Sequence, residues 1–307
     1  MEVSQTIENG GFTVDSQRFY LIAGGDGRYI RLGVRLAETA RVCAVGFSQY
    51  PDETGRVECL ASLSELKESP DCLILPMPVT KDGESVSAPF SAEKLPLGQV
   101  LDLCRRDTLV LGGLPGERTV RLCAERGLRF DDYAAREELA VLNAVPTAEG
   151  ALQIALEQLP VVLNGLPVLI AGYGRVAKLC RRAFAGVGCK VSVAARSRKD
   201  LAWAEADGAE PIPLSRMGAE LPRFRLVLNT VPHLIFREEE LALLPSGALL
   251  LDLASAPGGT DFAAANRLGI AALPVLSLPG KAAPETAAEI LFRTIRNIET
   301  ERRDSRA

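Results

Sequence analysis

Val168-Leu169-Ile170-Ala171-Gly172-Tyr173-Gly174-Arg175-Val176-Ala177 decides the fold. Four apolar residues read as a buried strand, and the G-x-G-x-x-A turn follows at once. Val176, Leu179, Cys180, Ala183, Phe184 and Val187 then recur on one helical face. Each small residue has a physical reason. Gly172 permits the tight turn, Gly174 lets the backbone approach a pyrophosphate, and Ala177 lets the helix pack closely on the strand. Phosphates would meet the free N–H groups at the helix start. A bare G-x-G-x-x-A is weak, but here a strand precedes it, a helix follows, and a second strand comes next. A dinucleotide site is therefore expected, with contacts from Gly172, Tyr173, Gly174, Arg175 and Val176. The rival reading is a glycine-rich βα turn with no ligand.

The next strand, residues 190–195, ends in Arg196-Ser197-Arg198. NAD sites usually place Asp or Glu there for the ribose hydroxyl. Two guanidinium groups and a hydroxyl suit a 2′-phosphate better. NADP is expected over NAD, with Arg196, Ser197 and Arg198 as its contacts. Further strand ends lie in the same layer, where doubly wound sheets bind ligands. Asn229-Thr230-Val231-Pro232 is one, and Asn229, Thr230 and Val231 are expected near the ribose or nicotinamide; the alternative is a simple strand-ending turn. Asp252-Leu253-Ala254-Ser255 is another; Asp252 serves equally as a cap of its own turn or as a ligand contact, with Ser255 beside it. Leu278-Pro279-Gly280-Lys281 ends the last strand, and Lys281 could reach an anion or remain a solvated helix-start charge.

Working outward, short apolar runs alternate with helical patterns along the whole chain, which implies parallel sheets with helices on both faces. The expected strands are residues 19–23, 42–47, 72–75 and 108–111, then 167–171, 190–195, 226–230, 248–254 and 270–276. The polar segment 79–91 reads as a long functional loop. Ala144-Val145-Pro146-Thr147 reads as the end of a first domain, with Thr147 capping a helix over residues 148–159. The expected fold class is α/β: two doubly wound parallel-sheet (Rossmann-like) domains, residues 1–145 and 146–307, joined by that bridging helix, with an active-site cleft between them. A last helix runs from near residue 283 towards 298, and the charged tail from Glu299 is expected to fray.

The 307 residues match about two domains at roughly 150 residues each. Thirty-five basic against 39 acidic residues leave a net charge of −4, which argues against a broad nucleic-acid or anionic-membrane surface. No apolar run reaches about 18 residues, so no membrane span is expected. Residues 1–18 lack an apolar stretch behind a basic start, so no secretory signal is expected. The seven cysteines form no CxxC pair and read as reduced core residues, as at Cys43, Cys72 and Cys180. A single histidine, His233, argues against a His-rich metal site or a His-based triad, and no metal is expected.

Several segments together resemble the A subunit of bacterial dipicolinate synthase. They are Ala23-Gly24-Gly25-Asp26-Gly27-Arg28, Leu75-Pro76-Met77-Pro78-Val79, residues 143–150 from Asn143 through Thr147, the Gly172–Val176 turn, Asn229–Pro232, residues 252–259 and Pro279-Gly280-Lys281. The resemblance spans residues 19–291, and the early Gly-Gly-Asp turn with the Pro-Gly-Lys segment is its most specific part. It implies oxidation of a dihydrodipicolinate, derived from a lysine-pathway intermediate, to the aromatic pyridine. It further implies a partner, the flavoprotein-like B subunit of the same synthase, an oligomer, and the cytoplasm of the mother cell in sporulation. A dicarboxylate substrate needs cations and N–H or O–H donors. Arg28, Thr80, Ser87, Asn143, Thr147 and Lys281 are the expected substrate contacts, with Lys281, Thr230 and Arg28 as catalytic candidates. Two rivals stand beside this: another two-domain dehydrogenase of the shikimate or alanine dehydrogenase kind, and a non-catalytic NADP(H)-binding partner or sensor.

Overall fold

The computed structural model describes residues 18–304. Residues 1–17, on which the expectation of no secretory signal rests, and residues 305–307 lie outside the described residues. The chain forms two compact units. One runs to Ala135 and resumes at Leu291; the other is Arg136–Ile290.

The first unit comprises β1 (Phe19–Ala23), α1 (Gly27–Leu36), β2 (Arg41–Val45), β3 (Glu58–Leu60), β4 (Cys72–Ile74), α2 (Leu97–Asp102), β5 (Leu109–Gly112), α3 (Gly116–Glu125) and β6 (Arg129–Asp132). All strands are parallel, in the order β3-β2-β1-β4-β5-β6. The second unit comprises α4 (Glu137–Gln158), β7 (Pro167–Ala171), α5 (Arg175–Gly186), β8 (Lys190–Ala195), α6 (Arg198–Ala206), β9 (Glu210–Pro213), α7 (Met217–Glu220), β10 (Leu226–Asn229), α8 (Glu238–Leu241), β11 (Leu249–Asp252), α9 (Phe262–Arg267), β12 (Ala271–Pro274) and α10 (Leu278–Ala282). Its parallel order is β12-β11-β10-β7-β8-β9. Numbered from its own first strand, each sheet reads 3-2-1-4-5-6, the doubly wound Rossmann order. Helix α11 (Pro284–Asp304) closes the chain.

The central strands are the continuous apolar runs, buried on both faces as parallel strands must be. All five residues of β1 are buried, and so are Val168–Ala171 of β7. The three strands that the sequence pattern misses, β3, β6 and β9, are short edge strands. They carry Glu58, Arg129, Asp131, Glu210 and Pro211. Charge, proline and brevity keep sheet edges from pairing with other chains, and they also erase the apolar signature.

Two boundaries differ from the expected ones. The stretch 144–147 ends no domain; Pro146 sits inside the 22-residue helix α4. Proline has no N–H to offer Leu142. At the next residue, the Thr147 hydroxyl is no cap: it donates to the Asn143 carbonyl at 2.7 Å. The helix persists because Ala144, Ala148, Ala151 and Ala155 form a buried small-residue face. A Cβ at Gly150 would stand 3.0 Å from Leu278 and 3.1 Å from Ala282, so α10 packs nearly on the α4 backbone. Thus the segment expected to bridge lies wholly in the second unit, and α11 is the helix whose residues the two units share. Helix α4 also has the length and apolar composition of a membrane span.

The tail does not fray at Glu299, which is 4% exposed. Its carboxylate accepts from the Tyr20 phenol at 2.7 Å and pairs with Arg18 at 2.9 Å and Arg296 at 3.1 Å. Arg302 meets Asp131 at 2.6 Å. Glu299→Ala would leave the guanidinium groups of Arg18 and Arg296 without that acceptor. We expect it to cost about 3 kcal/mol in urea unfolding, and a loss under about 1 kcal/mol would show the cluster to be only surface charge.

All seven cysteines are free, and only Cys59 is exposed. Burial, with the Glu58 hydrogen bond second, pushes the Cys43 thiol up to about 12. Burial does the same for Cys104 and Cys180, each to about 12, and takes Cys123 to about 11. The thiolate is the reactive form, so these side chains are inert at neutral pH. A disulfide thiol reagent should label one cysteine in the native protein and seven after denaturation.

Candidate nucleotide site

The sheet of the second unit reverses direction of winding at β7, which lies between β8 and β10. Beyond the carboxyl ends of these three strands lies a cavity of about 610 Å³. Gly172, Gly174, Arg196, Thr230 and His233 are among its lining residues.

The two glycines of the turn serve opposite needs. Gly172 has φ +91°, and a Cβ there would come within 2.5 Å of Thr230 Oγ1 and 3.0 Å of Val231 Cγ2. Its glycine is required by its own fold. Gly174 is the N-cap of α5 with φ −82°, a conformation open to any residue, and no side chain caps the helix there. A Cβ on it would meet nothing within 4 Å. The fold does not require glycine at 174, and its absent side chain leaves the backbone open to the cavity that it lines. The amino end of the 12-residue α5 thus faces the cavity through bare backbone, which suits a phosphate.

Arg196 and Ser197 follow β8 and line the cavity from exposed positions. The Ser197 hydroxyl is partly engaged, accepting from Asp200 N as the cap of α6. Asp200 lines the same cavity and is not among the residues that the sequence singles out; it is an acid in the first turn of α6, where the helix dipole alone favours it. Tyr173 and Val231 line it too, although the Tyr173 hydroxyl is turned to Asp207. Burial first, and that carboxylate second, push the phenol well above its ordinary range.

Other expected contacts stand apart. Arg175 pairs with Glu137 at 2.7 Å, Val176 packs in the core, and Arg198 opens α6 from an exposed position; none is a lining residue. Thr230 does line the cavity, but both its N–H and its hydroxyl donate to the Ala171 carbonyl, at 3.0 and 2.7 Å. The hydroxyl proton thus holds the floor of the Gly172 turn, a structural role beside the expected catalytic one. Asn229 and Asp252 are buried side by side, 0% and 2% exposed. Asp252 accepts from Asn229 Nδ2 (3.0 Å), Ala254 N (3.1 Å), Gly259 N (2.9 Å) and Thr260 Oγ1 (2.7 Å). Asn229 spends its remaining amide groups on Val231. Both shape the loops below the cavity rather than line it, and Ser255 is exposed outside it.

Lys281 is exposed on α10 and is not among the cavity residues. Asn143 is half-buried on α4, its Oδ1 buried without a hydrogen-bond partner. In the first unit, Arg28 is 7% exposed and forks onto Asp26 with two contacts of 2.8 Å. Burial is the largest influence and opposes its charge, but the Asp26 hydrogen bond together with the Tyr29, Asp26 and Tyr133 charges outweighs it and holds the guanidinium above its ordinary value. Beneath it, Tyr29 and Tyr133 share a 2.7 Å hydrogen bond, and Tyr133 donates to the Leu75 carbonyl.

The first unit's own reversal point is filled by its own chain. The loop expected over 79–91 is paired, with antiparallel bridges Thr80–Val86 and Ser85–Pro96. Ser87 O accepts from Gly25 N at 2.8 Å. A Cβ on Gly24 would strike Val86 at 2.8 Å, and one on Gly46 would strike Leu95 at 2.6 Å. Ser87 lines a groove of about 420 Å³ on the outside of this hairpin, and Thr80 does not. Among the described residues no group of three His, Cys, Asp or Glu side chains is placed to hold a metal ion.

A family model described as the N-terminal domain of the dipicolinate synthase A subunit matches residues 20–134. The A subunit of dipicolinate synthase from Bacillus subtilis (strain 168) is 32% identical over 281 residues, which cover 90% of this chain and 94% of that protein. The crystal structure of the dipicolinate synthase A subunit from Bacillus halodurans superposes with a TM-score of 0.84 at 31% identity, covering 92% and 98% of the two chains. A transhydrogenase from Sinorhizobium meliloti shares the fold at 16% identity, with a TM-score of 0.69 over 92% of this chain and 94% of its own.

Proposed function

The chain belongs to the family of dipicolinate synthase A subunits, and on that premise we propose that it is a nicotinamide-dependent oxidoreductase that converts a dihydrodipicolinate to dipicolinate. The observation that carries this reading is Gly174, a cavity-lining glycine that the fold itself does not require. NADP⁺ would be the hydride acceptor, supplying the redox chemistry as bound cofactors do. The Gly172–Gly174 backbone and the start of α5 would hold its pyrophosphate, and Arg196 with Ser197 its adenosine phosphate. Thr230, Asn229 and Asp252 hold that frame in shape. The substrate ring would give up a hydride and a proton and so gain aromaticity. Arg28 and Lys281 are the proposed cationic contacts for its carboxylates; Arg28, already charged and fixed by Asp26, would orient rather than exchange protons. A flavoprotein-like B subunit is the proposed partner, and the mother-cell cytoplasm of a sporulating bacterium the proposed setting.

NADP preference is a contest between two groups in one cavity. Arg196 attracts a 2′-phosphate, and Asp200 repels it while accepting from a ribose hydroxyl. Arg196→Ala should cut NADP⁺ affinity about tenfold and leave NAD⁺ affinity within about twofold. Asp200→Asn should shift the ratio the other way. Calorimetry on the purified chain reads both; an Arg196→Ala variant with unchanged nucleotide preference would exclude the phosphate contact. The activity itself is tested by mixing purified A and B subunits with dihydrodipicolinate and NADP⁺ and following the absorbance of reduced nicotinamide. Nucleotide binding without any reduction would leave the sensor reading and remove the enzyme.

A further inference from the structure

The first unit carries a cavity that the nucleotide reading leaves unused. Arg18 immediately precedes β1, and Thr39 and Ala40 precede β2, so they mark the amino-terminal ends of parallel strands. The βα turns leave from the other ends. A cavity of about 580 Å³ opens at this amino-terminal edge, with α11 as one wall. Phe292, Arg293, Arg296, Asn297 and Thr300 face it from α11, at spacings that share one side of a helix.

Its chemistry is cationic and prearranged. Arg18, Arg35, Arg293 and Arg296 line it against one lining carboxylate, Glu38. With the buried Glu299 behind Arg18 and Arg296, the four lining guanidinium groups outnumber the two carboxylates among them. Glu299 holds two of the four in fixed positions, since both its oxygens are engaged. Arg18 Nε is buried with no acceptor. Arg35 pairs with Glu38 and lies over the Phe292 ring at 4.7 Å, making a flat platform. Arg293 is exposed and has no carboxylate partner among the described residues.

We propose that this cavity is a second small-molecule site, which takes a planar organic dianion. Two acidic groups can meet two of the guanidinium groups at once, and fixed guanidinium forks suit carboxylate oxygens. The Phe292–Arg35 platform accounts for the flat body between them. The site belongs to the first unit alone and is independent of the nucleotide assignment.

Calorimetry on the full chain tests it, with isophthalate, pyrophosphate and inorganic phosphate as probes, saturating NADP⁺ present, and about 0.15 M salt to suppress non-specific attraction. Saturable binding of isophthalate is expected, tighter than that of pyrophosphate or phosphate, about tenfold weaker in Arg293→Glu and reduced in Arg35→Gln. Both side chains lie at the surface, so the variants should keep the parent melting temperature and nucleotide affinity. Pyrophosphate or phosphate binding as tightly as isophthalate would show a general anion site and overturn the planar dianion. No saturable binding of isophthalate, or binding that neither substitution weakens, also overturns the proposal.

Discussion

Gly174→Asp is expected to fold as well as the parent chain and to bind pyridine nucleotide at least about 100-fold more weakly. The two halves of that expectation have separate causes. Position 174 caps α5 at φ −82° and ψ −166°, where any residue fits, and a new Cβ meets nothing within 4 Å. Asp is a better cap than Gly by a few tenths of a kcal/mol, so the melting temperature should hold or rise slightly. The same carboxylate would then satisfy the N–H groups proposed for the pyrophosphate and repel it by charge. Calorimetry for binding and a thermal melt for stability read the two halves. Equal nucleotide affinity in parent and variant would mean that the cavity at β7 is not the nucleotide site.

The contrast with neighbouring glycines explains what the sequence can and cannot reveal. The G-x-G-x-x-A turn is legible because its causes are local: a strand, a turn and a helix within ten residues. Gly24-Gly25 in the first unit looks similar on paper, yet those glycines make room for Val86, Ser87 and Tyr29 of the same unit. For Gly24, only a contact about 60 residues distant in the chain tells a glycine kept for a loop from one kept for a ligand, and local pattern carries no such information. The doubly wound fold is readable for the same local reason, since buried parallel strands are apolar throughout. The edge strands β3, β6 and β9 are not, because an edge must hide its apolar signature.

Proline misleads in a similar way. Pro146 normally argues for a helix boundary, and here tertiary packing overrides it: the alanine face of α4 against α5 and α10 outweighs a loss of about 3 kcal/mol in helix propensity. Strand-end register brings Arg196, Ser197, Tyr173 and Val231 to the cavity, but it does not reveal that Asp200 joins them. The C-terminal charges read as solvated, although Glu299 is buried by Tyr20 and two arginines, one of them from the far end of the chain.

Asp252 is the sharpest case, because its strand-end position suggests a ligand contact and its surroundings dictate a structural role. Asp252→Ala is expected to destabilise the protein by about 4 kcal/mol, a fall of about 10 °C in melting temperature. The reason is what the substitution leaves behind. Four donors now converge on one carboxylate that is 2% exposed, and alanine would strand all four away from water. Asn offers no remedy, since an amide brings two N–H groups to a place where only acceptors are wanted. Asp252→Asn should therefore also destabilise, by about 2 kcal/mol, in spite of its matching shape. A ligand contact predicts the reverse pattern, with stability retained and nucleotide affinity lost in both variants. Urea unfolding beside nucleotide calorimetry separates the two, and a stable Asp252→Ala with abolished binding would move Asp252 from the frame of the cavity into its wall.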